Sequence, residues 1–290
     1  MTICVTRFAP SPTGPLHLGH AYAAILAHDM AHAQGGTFLL RIEDIDQSRA
    51  RPEWETQIEA DLHWLGLNWS DPIMRQSDRL PIYRRALQRL WTQGLLYPCI
   101  CNRRDILEAA SAPQEGAPPA VGPDGVVYPG TCRHLPEAGL PLPQAALRLN
   151  MRRALDLLGA PQLTFVETGS GPLGETGTIT VSPDDLCNGV GDIVLARRDM
   201  GTSYHLSVVL DDAAQGVTHV TRGRDLFEAT QIHILLQRLL ALPTPLYHHH
   251  RLIRDEHGKR LAKRDDASAI AKYRSEGATS QDIRQMIGLS

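Results

Sequence analysis

At 290 residues, the chain has room for two domains, or for one α/β domain carrying a large insertion. Hydrophobic residues make up 42% and charged residues 21%, the balance of a globular protein, and the net charge of −3 argues against a generally adhesive nucleic-acid binder. No apolar run approaches the roughly 18–20 residues that cross a bilayer. The opening MTICVTRFAPSP lacks the apolar stretch of a signal peptide, so a cytoplasmic protein without a membrane partner is expected.

Residues 3–8 (ICVTRF) have the β-branched, apolar character of a strand. The loop APSPTGPL follows, then a helix from about Leu18 to Gln34 that Gly35 and Gly36 stop. TFLLRIEDID reads as a second, buried strand. A helix beginning near Pro52 has proline in its first turn, where that residue is tolerated, and another runs over roughly 79–93. This alternation predicts an α/β fold with a Rossmann-type doubly wound parallel sheet. From Tyr97 the texture changes. Cysteines, the Pro/Gly-rich SAPQEGAPPAVGPDGVVYPG and irregular strand-like pieces such as LTFVETGSG predict an inserted α+β subdomain. Regular texture resumes with GDIVLARRDMGTSYHLSVVLDD, then VTHVTRGRDL, the helix EATQIHILLQRLLAL and a last strand in YHHHRLI. The expected divisions are 1–96 and 186–250 for the two halves of the doubly wound domain and 97–185 for the insert. Residues 251–290 supply a charged loop and a short helical segment.

Several groups of residues along this order have chemistry to offer. His17 and His20 stand three positions apart at the mouth of the first helix, on one face of its first turn. A metal would need a third ligand, and the pair lacks the intervening Glu of HExxH. Buried structural histidines are the plain alternative. A helix N-terminus directly after the first strand instead suits phosphate, because its N–H groups are unpaired and carry positive partial charge. Gly14 and Gly19 permit close backbone approach, and Pro10, Pro12 and Pro15 stiffen the loop. RIEDIDQSR places Arg41, Glu43, Asp44 and Asp46 at the carboxyl end of the second strand, where α/β sheets bind ligands. Glu43 suits an ammonium group; a solvated acidic turn is the alternative. Arg7 and Ser11 reach the same crevice, and arginine offers a carboxylate a planar double donor. GKRLAKRDD is a basic loop of the kind that meets a triphosphate, although most such runs are only solvated surface.

Cys99 and Cys101, with Cys132 in YPGTCRH, suggest a closed tetrahedral zinc site, structural and one per chain. On chemistry alone His134 is the ordinary fourth ligand. Cys4 and Cys187, in apolar surroundings, read as small core residues. The triplet His248–His250 cannot converge on one metal, because successive strand residues face opposite sides, and is expected to be structural.

The chain resembles the class I aminoacyl-tRNA synthetases. HLGH (17–20) matches their HIGH motif and RLAKR (260–264) a divergent KMSKS; RFAPSPTGPLHLGH and RIEDID narrow the resemblance to the glutamyl branch. It runs from Arg7 to about Arg264. It implies a glutamate site of Arg7, Ala9, Ser11, Glu43, Tyr204 and Arg222, with Glu43 on the α-ammonium and Arg222 on the side-chain carboxylate. It also implies ATP contacts from His17, Gly19, His20, Arg260 and Lys263, with His17, His20 and Lys263 catalytic and magnesium accompanying ATP. Tyr128, in the pattern Y-x-G-x-C, becomes the fourth zinc ligand in place of His134. Arg260 keeps a positive charge where the motif has lysine, and Ala262 lacks the motif's hydroxyl, which puts the loop's closing contacts in question. Only 27 residues follow Lys263, fewer than a helical anticodon-reading domain needs. The resemblance is therefore to truncated paralogues of glutamyl-tRNA synthetase, which activate L-glutamate with ATP without tRNA and esterify it onto the queuosine of tRNA(Asp), and a monomer is expected. The alternatives are a catalytic fragment that charges tRNA(Glu), another nucleotidyltransferase of the HxGH group, and a non-catalytic RNA-binding paralogue.

Overall fold

The computed structural model describes residues 3–111, 119–135, 141–253 and 269–289. Strand β1 (Val5–Phe8) leads into α1 (Leu18–Ala33), β2 (Thr37–Ile42), α2 (Pro52–Trp64) and β3 (Ser70–Arg75). The three strands are parallel, in the order β1-β2-β3. β3 was not legible in advance: SDPIMR contains a proline and no alternation, and its exposed position at the end of this order tolerates both.

After α3 (Leu80–Thr92) come β4 (Leu96–Cys99), α4 (Arg103–Ser111), the two-residue strands β5 (Val121–Gly122) and β6 (Gly125–Val126), and β7 (Ala146–Leu149). Next are α5 (Met151–Leu157), β8 (Leu163–Glu167), β9 (Gly177–Val181), a π-helical turn over Asp185–Val190, and β10 (Val194–Ala196). β4, β7 and β10 form an antiparallel sheet. The chain then supplies α6 (Tyr204–Ala214), β11 (His219–Gly223), α7 (Thr230–Leu240), β12 (Leu246–His250), α8 (Ile270–Ser275) and α9 (Ser280–Ile287).

β11 and β12 are parallel over their whole lengths, β12 pairs in parallel with β8, and β9 closes that edge. Thr218, just before β11, joins the two parallel groups: its N–H donates to the Val5 carbonyl at 3.0 Å and its hydroxyl accepts from the Val5 N–H at 2.8 Å. The strands thus run outward from β1 in one direction and from β11 in the other. Between those two strands lies the point where the winding reverses, and such sheets bind ligands there, at the strands' carboxyl ends.

α1 forms because alanines and long apolar residues recur at helical spacing, and Leu18, Ala21, Tyr22, Ala24, Ile25, Ala27 and Ala31 are buried by it. They share a core with Phe38, Leu40 and Ile42 of β2, Ile58 and Leu62 of α2, and Ile283 and Ile287 of α9. A second, larger core joins α3, β4, β7, α6 and α7. Among the described residues, no helix is long and apolar enough to cross a membrane.

Candidate active site at the carboxyl ends of the strands

The mouth of α1 is built locally. His17 is its N-cap, and its Nδ1 accepts from the Gly19 N–H at 3.1 Å. The His20 Nδ1 accepts in turn from the His17 N–H at 3.2 Å, which completes a capping box made of two histidines. The rings stack with centroids 3.8 Å apart. An Nδ1 that accepts carries no proton, so each ring is neutral and bears its N–H on Nε2. Gly19 suits this arrangement: a Cβ there would lie a tight 3.0 Å from the His17 ring. Ala9 and Ser11 occupy the half-buried loop before the helix. The Pro10 carbonyl in that loop accepts from the Glu43 N–H at 3.0 Å, which draws the first two motifs together.

Beneath the loop lies a buried charge network. Asp212 of α6 accepts from Arg7 Nε at 2.9 Å and Arg7 Nη2 at 3.3 Å, and from Arg41 Nη1 at 2.7 Å. Arg41, fully buried, also donates to Glu43 Oε1 at 3.1 Å and Gln215 Oε1 at 3.0 Å. Burial alone would raise the Asp212 pKa, but the two guanidiniums outweigh it and hold it below the usual carboxylate range. Glu43 goes the other way: burial pushes its carboxyl above its ordinary value despite Arg41 and Arg7. Arg7 Nη1 donates to the Thr221 carbonyl at 3.3 Å and so reaches the neighbour of Arg222. The Tyr204 hydroxyl, raised by burial, sits in the combined field of Arg222, Glu43, Arg7 and Asp212. The structure therefore brings together Arg7, Glu43, Tyr204 and Arg222, residues far apart in the chain.

Arg222, at the carboxyl end of β11, is buried and held on three sides. Its Nε donates to His249 Nε2 at 3.0 Å, Nη1 to His233 Nδ1 at 3.0 Å and Nη2 to Thr230 Oγ1 at 2.7 Å. The three consecutive histidines do not converge, as strand alternation requires: His248 Nδ1 meets Thr168 Oγ1 at 3.1 Å and His250 Nδ1 meets the Arg251 carbonyl at 2.9 Å. The middle one, His249, faces Arg222 and not the partners of its two neighbours. Asp212, Thr230, His233 and Glu167 were missed in the sequence. For Asp212 and Glu167 the available signal was a charge inside an apolar run, SVVLDD and LTFVE; Thr230 and His233, in EATQIH, carried none.

Arg260, Ala262 and Lys263 lie outside the described residues. The chain re-enters the described part at Ala269, which bridges His17, and the Ile270 N–H donates to the Leu16 carbonyl at 2.9 Å.

A second cluster lies in the segment between β4 and β7. The sulfurs of Cys99, Cys101 and Cys132 all lie within 4.8 Å of one another. The Tyr128 hydroxyl is 3.6 Å from Cys99 Sγ and 3.4 Å from Cys101 Sγ, and accepts from the Cys132 N–H at 2.9 Å. A tetrahedral zinc with Zn–S bonds of about 2.3 Å spaces its sulfurs roughly 3.8 Å apart, so the grouping fits one ion. His134 is exposed and is not in the group. Burial pushes the Cys101 thiol up to about 11. Burial also opposes ionisation of Cys132, but the Tyr128 hydroxyl and backbone N–H groups overcome it and bring that thiol down to about 7. Arg148 donates from Nε to Cys99 Sγ at 3.3 Å and lies 3.9 Å over the Tyr128 ring.

A family model of the class I tRNA synthetases (E and Q), catalytic domain, matches residues 4–139 and 174–290. A glutamyl-Q tRNA(Asp) synthetase of Rhodobacter capsulatus is 66% identical over 287 residues, covering 98% of this chain and 100% of its own. A protein of the same name from Symbiobacterium thermophilum is 42% identical over 96% of this chain and 83% of its own. Among solved structures, a glutamate tRNA ligase from Elizabethkingia meningosepticum, crystallised with its amino acid, matches with a TM-score of 0.75 at 26% identity. That match covers 99% of this chain but 61% of the ligase, so the chain spans about three-fifths of the ligase's length. Mycobacterium tuberculosis methionyl-tRNA synthetase bound by methionyl-adenylate, at 10% identity and a TM-score of 0.61, shares the fold alone.

Proposed function

The chain belongs to the class I tRNA synthetases of the E and Q branch, and from that premise we propose that it activates L-glutamate with ATP and transfers it to the queuosine of tRNA(Asp) in the cytoplasm. The similarity to proteins named glutamyl-Q tRNA(Asp) synthetase supports the choice of acceptor. The observation that carries the chemistry is the histidine capping box. It fixes two Nε2–H donors at a helix N-terminus, at the same end of the sheet as Glu43 and Arg222.

In the first step a glutamate α-carboxylate oxygen attacks the α-phosphorus of ATP in line. The bond to the bridging oxygen breaks, and glutamyl-adenylate and pyrophosphate result. His17 and His20 donate to the phosphate oxygens as charge builds there, a contribution of the oxyanion-hole kind, worth about 10²–10³ in rate per donor. Their neutral tautomers need no proton rearrangement beforehand. Gly19 lets the phosphate approach the backbone, and Arg260 and Lys263 supply further positive charge. Magnesium accompanies ATP, bound mainly to its phosphates. Glu43 holds the α-ammonium, and Arg7, Ala9, Ser11 and Tyr204 line the same crevice. Arg222 takes the side-chain carboxylate and rejects glutamine, whose amide would set N–H against N–H. In the second step a hydroxyl of the acceptor nucleoside attacks the activated carbonyl, and AMP leaves with the bonding pair.

Cys99, Cys101, Cys132 and Tyr128 would hold one structural zinc within the segment spanning 97–185, which is read as an insert. When bound, the ion joins two pieces of chain and has no part in the reaction. About one zinc per chain by metal analysis, lost in Cys101→Ala, checks this assignment.

The functional test is glutamate-dependent ATP–pyrophosphate exchange without tRNA, followed by transfer of labelled glutamate to tRNA(Asp) with and without queuosine. Exchange without tRNA and transfer only to the queuosine form are expected. Exchange that required tRNA(Glu) would overturn the reading.

A further inference from the structure

The histidines around Arg222 have a defined direction of hydrogen bonding. A guanidinium only donates, so every nitrogen facing it must accept. His249 Nε2 and His233 Nδ1 both face it, at 3.0 Å each, and both are therefore unprotonated there. The proton of each ring sits on the opposite nitrogen and must itself find an acceptor. For His249 that nitrogen is Nδ1, which donates to Glu167 Oε2 at 2.5 Å. For His233 it is Nε2, which donates to His205 Nδ1 at 3.1 Å; His205 in turn donates from Nε2 to Asp124 Oδ1 at 3.4 Å. Both arms run outward from the arginine and end on a carboxylate.

The Glu167 end is the better built. Glu167 is 1% exposed, and its Oε1 accepts the Gly169 N–H at 2.7 Å and the His249 N–H at 2.9 Å. Burial would raise its pKa, but the His249 ring first, and then those backbone donors, hold it below the ordinary value. Gly169 is needed for the approach, since a Cβ there would fall 2.3 Å from the His249 carbonyl oxygen. Asp124, in the turn between β5 and β6, is partly exposed and its contact is longer.

We propose that Glu167, through His249, and Asp124, through His205 and His233, are positioning residues for glutamate recognition: they fix both histidines as acceptors toward Arg222, so the guanidinium keeps its orientation and full charge for the substrate's side-chain carboxylate. The proposal rests on Arg222 being that carboxylate's partner. Glu167→Gln tests it sharply. The amide oxygen can still accept the two backbone N–H groups, but the amide N–H₂ then faces His249 Nδ1. The ring must move its proton to Nε2, against the N–H of Arg222.

The expected result in ATP–pyrophosphate exchange is a glutamate KM raised about tenfold or more, the scale of leaving a buried polar group mispaired. The KM for ATP and kcat should stay within about twofold, because the phosphate end of the crevice is untouched. Asp124→Asn should raise the glutamate KM by less, in line with its longer contact. ¹⁵N spectra of labelled histidines give a readout independent of substrate. His249 should be protonated on Nδ1 and His233 on Nε2 in the wild-type chain, and only His249 should reverse in Glu167→Gln. The opposite wild-type tautomers, or a charged ring at either position, overturn the proposal whether or not the variant folds. If Arg222→Lys raises the glutamate KM while Glu167→Gln does not, the positioning role falls and the reading of Arg222 stands. If Arg222→Lys leaves that KM unchanged, the reading of Arg222 falls and the proposal falls with it.

Discussion

At the mouth of α1, His17 and His20 are held by bonds that span two and three residues, whereas Arg222 is held by groups 8, 11 and 27 positions away, one of them anchored by Glu167 across a further 82. The difference separates two ways of fixing a donor. In the first, the helix supplies its own acceptors and donors, and the geometry forms wherever the helix forms. In the second, β11, α7, β12 and β8 must all dock before the set of contacts is complete, so the arginine's orientation depends on the folded domain. The first region suits a phosphate, which every ATP presents alike. The second suits discrimination between two substrates that differ in one functional group, where a fixed direction of hydrogen bonding matters more than charge alone.

Breaking the long-range end should have the largest effect. Arg222→Ala leaves His249, His233 and Thr230 without their donor and removes the group proposed to meet the side-chain carboxylate. A fall of about 10³-fold or more in kcat/KM for glutamate is expected, measured by exchange, with discrimination against glutamine lost as well. The local end should break more cleanly. His17→Asn retains a good N-cap, so the melting temperature should hold, but it removes one Nε2–H donor, and kcat should fall about 10²-fold. His17→Ala loses the cap too and should cost about 1 kcal/mol of stability besides. If His17→Asn unfolds the protein, or leaves kcat unchanged, the helix mouth is structural and the contrast between the two ends disappears.

The smallest effect sharpens the contrast through pH. The Glu43 carboxyl is raised above its ordinary value of 4.5, and its proposed hold on the α-ammonium needs it ionised. As pH falls, Glu43 takes up its proton earlier than an unperturbed glutamate would. The glutamate KM should therefore begin to rise at a pH above the usual carboxylate range, by several-fold over about one pH unit. The KM for ATP should stay flat over the same interval, since the histidines proposed to meet its phosphates belong to the other region.

What the sequence made legible follows the same division. α1, α2, α3 and α7 were readable because apolar spacing, Pro52 and Gly35 act within a few residues. HLGH was readable because its chemistry is completed within one helical turn. Glu43 stood out as a charge at the end of an apolar strand, whereas Arg222 entered only through the family resemblance. Asp212 did not stand out, because its partners Arg7 and Arg41 are 205 and 171 residues away, and nothing in SVVLDD records them. His249 was passed over for a related reason. Alternation along a strand shows correctly that three neighbouring histidines cannot share a metal, but it is silent about what any one of them meets. β3 escaped because an exposed strand need not alternate, and burial is what imposes the pattern.

The two halves of the cysteine cluster are also joined away from their sulfurs. Tyr97, two residues before Cys99, donates its hydroxyl to Asp192 Oδ2, and Arg133, the residue after Cys132, donates to the same oxygen at 2.6 Å. The other oxygen of Asp192 accepts from the Met151 N–H at 2.9 Å. One carboxylate therefore ties 97 to 133 alongside the contacts among the cysteines and Tyr128. An ion among the three thiols would share the closure of that loop with Asp192, which lowers the loop-closure entropy its own binding has to offset. Its affinity would then report mainly on the sulfurs' own chemistry, and chelation would loosen the cluster without releasing the loop.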